Sequence, residues 1–294
     1  MAMKMTGKVL AKSSQEEENA GVVNESTRSC IRPIWQLFSL WGLDVVFAAL
    51  CWSVVIAAHF KITMLTVEPL LVVCALIWFV VMYGRMSRAL KSEQAYESKY
   101  YRSHLAPLVP IGLAVVLAAG WILFFHVGKY FIYFLLLPLL PIAMSTAPLL
   151  RRCSLFVLLF SSMGFVFACA APAYFYSYSY APLSMLFSAP LWVMVGMFFL
   201  FGAERHKRGD TSMLRSVMKH VCLLSLFLVC CIKLGSSPAY IRGFYITITA
   251  ALAALHVLSR LRKRLPDNVW NSIGWTMMAL PALLGILIFA PEEW

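Results

Sequence analysis

An ionised side chain inside an apolar stretch must be paired or hydrated, so a carboxylate in such a place marks where chemistry can sit. Asp44 is one, in the segment Leu40-Trp-Gly-Leu-Asp-Val-Val, seven residues beyond Leu37 where the apolar run starts. On a continuous helix that spacing puts it on the order of 10 Å below the cytoplasmic end. It is expected to face the protein interior and to pair with Arg85 or Arg88, as part of a functional site or as a structural partner.

Two clusters of charge of both signs follow the second and sixth apolar runs. The first holds Arg85, Arg88, Lys91, Glu93, Glu97, Lys99 and Arg102; the second runs Glu204-Arg-His-Lys-Arg-Gly-Asp210. Arg85, Arg88, Arg102, Arg205, Lys207 and Arg208 together suit a phosphate or diphosphate, because guanidinium groups fork onto phosphate oxygens. The same cations also suit lipid headgroups at a membrane surface. Asp44, Glu204 and Asp210 are the acids placed to act beside them. Glu204 and Asp210 are six residues apart and therefore on different faces of a continuous helix. No pair of histidines is placed to hold a haem.

These groups depend on apolar elements to hold them. The 294 residues are 61% hydrophobic and 13% charged, with a mean hydropathy of +0.79, whereas soluble domains carry roughly a quarter charged residues. Nine apolar runs are present: Leu37 to Ala58, Leu70 to Met86, Ala106 to Phe125, Tyr130 to Leu150, Cys153 to Tyr174, Leu183 to Ala203, Val217 to Leu234, Ile241 to Leu258 and Val269 to Ala290. Most reach the ~20 residues that a helix needs to cross hydrocarbon. The expected fold is an all-α integral membrane protein of nine transmembrane helices over residues 36–294. Residues 1–35 are expected to form a flexible cytoplasmic tail.

Twenty-one of the 25 Lys and Arg residues fall on one side of this threading and four on the other, which places the N-terminus inside and the C-terminus outside. The same asymmetry explains the net charge of +12 without a nucleic-acid partner. Seven of the eight cysteines lie in or beside apolar runs, where they act as small hydrophobes. Lys219 and His220 interrupt the start of the seventh run, with the lysine expected to snorkel. The prolines of the third and fourth runs suggest helices bent around a cavity. Runs five to eight start 111 to 116 residues after runs one to four, the spacing of a four-helix unit used twice with a ninth helix added.

With this topology, Ser39-Leu-Trp-Gly-Leu-Asp44, Trp78-Phe-Val-Val-Met-Tyr-Gly-Arg-Met-Ser-Arg88 and Phe198-Phe-Leu-Phe-Gly-Ala-Glu204-Arg-His-Lys-Arg-Gly-Asp210 resemble the helix ends of the UbiA-type prenyltransferase superfamily. The resemblance implies a nine-helix fold and a reaction site at the cytoplasmic mouth of the bundle. It also implies transfer of a prenyl chain from a prenyl diphosphate to a lipophilic acceptor, with Mg²⁺ held by aspartate-rich motifs. Here those motifs are degenerate: Gly84, Arg85, Ser87 and Arg88 stand where acids belong, and only Glu204 and Asp210 remain of the second. Glu93 and Glu97 lie beyond the end of the second run. Three functions follow: prenyl transfer; binding of membrane lipid, prenyl diphosphate or a quinone-like lipid without catalysis; or a transporter or accessory-subunit role. No metal site is assigned, Mg²⁺ being needed only if the chain is active. The expected location is a bacterial inner membrane.

Overall fold

A computed structural model describes residues 34–62, 65–91, 96–128, 130–146, 154–177, 188–205, 213–236, 239–261 and 267–289. Among them are eleven α-helices and no strand: α1 (Ile34–Leu40), α2 (Leu43–His59), α3 (Val67–Lys91), α4 (Tyr96–Ser103), α5 (Leu105–Ile122), α6 (Phe131–Thr146), α7 (Ser154–Ser177), α8 (Ala189–Arg205), α9 (Met213–Ser236), α10 (Ala239–Leu261) and α11 (Asp267–Phe289). A π-helical turn, Leu123–Val127, continues α5. The chain divides into two units, Met1–Phe38 and Ser39–Trp294. The candidate site lies wholly in the second.

Five helical segments are long and apolar enough to cross a membrane: Val67–Ser87, Leu105–Val127, Leu155–Tyr176, Lys219–Ser236 and Ile241–Leu261. Four more, Leu43–His59, Phe131–Met144, Ala189–Glu204 and Ile273–Leu287, are apolar but shorter. Over its described residues the chain is thus all-helical, and these apolar helices make it a membrane protein. Helices suit this solvent because each satisfies its own backbone polar groups where no water can.

The core forms around α2, which packs against α3, α7, α10 and α11. Trp52 and Ile56 of α2 are wholly buried. The Trp52 indole N–H donates to the Met278 carbonyl of α11 at 3.1 Å, and its ring meets Phe198 of α8 edge-on at 5.9 Å. Ala168, Cys169, Ala170 and Ala171 of α7 are also buried, and such small side chains let backbones approach where no hydrophobic drive separates protein from lipid. Phe165, Phe198 and Phe201 surround Trp275 with ring centroids 4.9–6.1 Å from it. Phe201 meets the indole edge-on, Phe165 tilted and Phe198 stacked, so the rings fill the space from three directions.

Two helices lie at the edge of this core, α9 entering it through the buried Cys230. Only 6% of the apolar stretch is buried in the Leu105–Val127 segment, and likewise 6% in Lys219–Ser236, so α5 and α9 turn most of their surface to the surroundings. Leu108 is the buried residue of α5. α5 is a peripheral helix, with most of its apolar residues turned outward. The first run differs from its expectation. It is two helices, because Gly42 adopts the left-handed conformation (φ 70°, ψ 11°) and breaks the run between Leu40 and Leu43. Most of its stretch still forms one long helix, α2.

Candidate functional site

The break between α1 and α2 organises the site. A helix end leaves its last carbonyls without intrahelical donors. Here three of them are met by side chains from elsewhere. Ser39 O accepts from Arg85 Nη1 and from the Gly42 N–H, the latter at 2.9 Å. Leu40 O accepts from the Tyr101 hydroxyl and from Arg85 Nη1, the second at 3.3 Å. Trp41 O accepts from the Trp78 indole at 2.8 Å. The donors come from α3 and α4, so the break is fastened to two other elements at once. A cation at a helix C-terminus also meets the negative end of the helix dipole.

Gly42 fits this turn for two reasons. Its φ is unfavourable for a residue with a Cβ. A Cβ placed there would also lie 3.1 Å from Val81 Cγ1 of α3. A smaller apolar cluster of Leu40, Trp78, Met82, Tyr100, Tyr101 and Leu108 packs around the break. The Trp41 indole donates to the Tyr100 hydroxyl at 3.0 Å, and the Tyr100 ring stacks on His104 at 4.3 Å.

Asp44 opens the first turn of α2, where a negative charge is favoured by the positive end of the dipole. It is buried, at 1% exposure. Its Oδ2 accepts from the Ser39 hydroxyl at 3.0 Å and its Oδ1 from the Val45 N–H at 2.9 Å. Arg85 Nη2 stands 3.9 Å from Oδ1, an ion pair with both side chains buried. The pairing expected for Asp44 is thus present with Arg85. Its setting differs from the expectation of a residue seven positions into one helix, since Asp44 is the second residue of a new helix behind the break.

The other predicted residues lie elsewhere. Glu204 closes α8, and its carboxylate binds Lys219 Nζ of α9 at 3.1 Å, with the two side chains 21% and 25% exposed. Lys219, which interrupts the start of the seventh run, is thus a paired lysine. Such a half-exposed pair is worth at most about 1 kcal/mol. Arg102 is exposed on α4. Lys207, Arg208, Asp210 and Glu93 lie outside the described residues, as do the side chains of Arg88, Glu97 and Arg205. Arg85 is turned inward onto carbonyls rather than lining a mouth, so a shared arginine ring is not what holds it. Trp78, Tyr101 and Ser39 complete the site and had no chemical signature of their own. Their role is set by backbone acceptors that carry no mark in a sequence.

Among the described residues, no three His, Cys, Asp or Glu side chains gather as metal donors. Asp44 and Glu204 each face a cation, which is the opposite of what Mg²⁺ requires of its carboxylates. The described residues do not fit that metal, and no step is assigned through it. The arrangement can hold two helix ends and a buried ion pair in register. Compared with known proteins, the chain matches no family model, no curated protein and no solved structure.

Proposed function

We propose that this chain is a nine-crossing membrane protein that binds a prenyl-diphosphate or quinone-like lipid without carrying out metal-assisted prenyl transfer. The observation behind this reading is the occupation of its carboxylates: Asp44 is engaged by Ser39 and Arg85, and Glu204 by Lys219. A transfer enzyme needs a Lewis acid to stabilise the leaving diphosphate, and these acids are committed to other partners. The resemblance to UbiA-type prenyltransferases supports the class of lipid. Its degenerate motifs argue against the reaction.

The test is an assay of purified protein with labelled prenyl diphosphate and an aromatic acceptor, with and without Mg²⁺. Retained prenyl diphosphate is expected to fall with salt and with Arg102→Ala, to change little on chelation, and to be accompanied by no transfer product. Robust Mg²⁺-dependent product would establish the enzyme reading instead, through acids such as Asp210 or the Glu93 and Glu97 pair.

The proposed threading places the N-terminus in the cytoplasm of a bacterial inner membrane. It is supported by the charge asymmetry and by a helix occupying each of the nine apolar runs among the described residues. The four-plus-four plan draws support from burial. The two least buried spanning segments, in α5 and α9, are the third members of the two proposed units. A reporter fused after Trp294 is expected to be active only outside the cytoplasm; cytoplasmic activity there would contradict nine crossings.

A further inference from the structure

Arg85 is a buried guanidinium, 6% exposed, and its hydrogen bonds leave one side of its fork unused. Its Nη1 donates to the carbonyls of Ser39 and Leu40. Its Nη2 stands 3.9 Å from Asp44 Oδ1, too far for a direct hydrogen bond, and meets no other acceptor among the described residues. Buried donors are almost always satisfied, so an unmet N–H beside a carboxylate marks a place for a further group. A polar contact longer than about 3.5 Å is where a bridging oxygen belongs.

The gap defines what the bridge must be. An oxygen about 2.8 Å from both atoms spans 3.9 Å, and it must accept from Nη2 while donating to Oδ1. A hydroxyl does both, whereas a carbonyl, an ether or a fully ionised phosphate has no proton to donate. Oδ1 already accepts from the Val45 N–H at 2.9 Å, and a carboxylate oxygen can accept from a second donor. Charge gives the same answer. The guanidinium and the carboxylate neutralise each other, and Asp44, 1% exposed, repels a diphosphate brought against the unused side of Arg85. So little exposure also limits size, since a slender chain ending in a hydroxyl reaches a place that a ring or a diphosphate does not. From a position next to Asp44, the exposed Leu43, Phe47 and Leu50 recur at helical spacing along α2, an apolar track for such a chain.

We propose that Arg85 and Asp44 together bind the terminal hydroxyl of an uncharged isoprenoid alcohol, its oxygen accepting from Arg85 Nη2 and its proton donated to Asp44 Oδ1. The isoprenoid chain comes from the lipid-binding reading above, on which the proposal rests. The geometry narrows that reading at this pair, from a diphosphate or a quinone to an alcohol. Ser39 keeps its role throughout, its hydroxyl donating to Asp44 Oδ2 at 3.0 Å on the other side of the carboxylate.

The experiment measures equilibrium binding of radiolabelled farnesol, farnesyl methyl ether and farnesyl diphosphate to the full chain in detergent, corrected for uptake by protein-free micelles. Wild type is expected to bind farnesol about tenfold more tightly than the ether, which can accept from Arg85 but has no proton for Asp44. Farnesyl diphosphate should not displace farnesol. Asp44→Asn, with an uncharged acceptor in place of the carboxylate, should narrow the preference for the alcohol severalfold. The wild-type comparison decides the matter if that variant fails to fold. Equal affinity for alcohol and ether would overturn the proposal and leave water as the bridge. So would displacement of farnesol by the diphosphate, or an undiminished preference in folded Asp44→Asn. Binding of none of these ligands would refute the lipid-binding reading itself. Binding without preference for the alcohol refutes this site alone.

Discussion

Replacing Arg85 with methionine is expected to destabilise the protein by roughly 3–5 kcal/mol, the usual cost of stranding one partner of a buried ion pair. Two losses combine. Asp44 keeps the Ser39 hydroxyl and the Val45 N–H but loses its cation, and the carbonyls of Ser39 and Leu40 lose the guanidinium that donates to both. Arg85→Lys should fall between, because an ammonium cannot fork across two carbonyls while facing a carboxylate. Asp44→Asn in the Arg85→Met background removes the stranded charge and should restore part of the loss. The two substitutions are therefore expected to be non-additive. Thermal and denaturant unfolding in detergent would measure this cycle. Wild-type stability in Arg85→Met, or strict additivity of the pair, would show that the clasp does not fasten the α1–α2 break.

How far the sequence reaches can be seen at this same break. Asp44 and Arg85 were legible because a charge in an apolar run has few tolerable surroundings, and pairing is the commonest. The break itself was not. Hydropathy averages over about twenty residues, and one left-handed glycine in the middle of an apolar run hardly changes that average. The rise counted from Leu37 to Asp44 does not apply for the same reason, since it assumed an uninterrupted helix. The acceptors that fix Arg85, Tyr101 and Trp78 are backbone carbonyls, identical at every position until the chain folds.

Helix α4 shows a different limit. Tyr96–Ser103 fell in a gap that the charges marked as polar, yet Tyr100 and Tyr101 are buried and Arg102 is exposed on the same short helix. A period of 3.6 was present in those eight residues, but so short a segment gives little with which to distinguish it from a loop. The pairing of Glu204 with Lys219 needed the packing of α8 on α9, a tertiary fact. Long apolar elements were readable because their burial is decided by composition. Side-chain partners across helices were not, because rotation of one helix about its axis exchanges them without altering any composition.

That dependence on helix rotation and approach makes the contact between α10 and α11 the second place where a small change should have a large effect. Thr247 of α10 is buried at 3% exposure and donates its hydroxyl to Gly243 O at 2.9 Å. Gly285 of α11 faces it. A Cβ built at Gly285 would fall on Thr247 Oγ1, with Cγ2 at 3.0 Å and Cβ at 3.2 Å. Turning Thr247 so that its Hβ meets the new methyl would give up the bond to Gly243 O and still leave its Cβ at 3.2 Å, so relief costs either that hydrogen bond or a small separation of the helices. Gly285→Ala gains up to about 1 kcal/mol of helix propensity. Against this, overpacking costs typically about 1–3 kcal/mol, to which loss of the buried Thr247 hydrogen bond would add. The net result should be a destabilised protein. Gly285→Leu should be worse, because α11 also holds the Trp52 indole through Met278 O, so moving α11 disturbs the core around α2. Thr247→Ala removes both atoms nearest the new methyl and should recover much of the Gly285→Ala loss. If Gly285→Ala unfolds at or above the wild-type temperature in detergent, or if Thr247→Ala gives no recovery, α10 and α11 do not meet as closely as this packing requires.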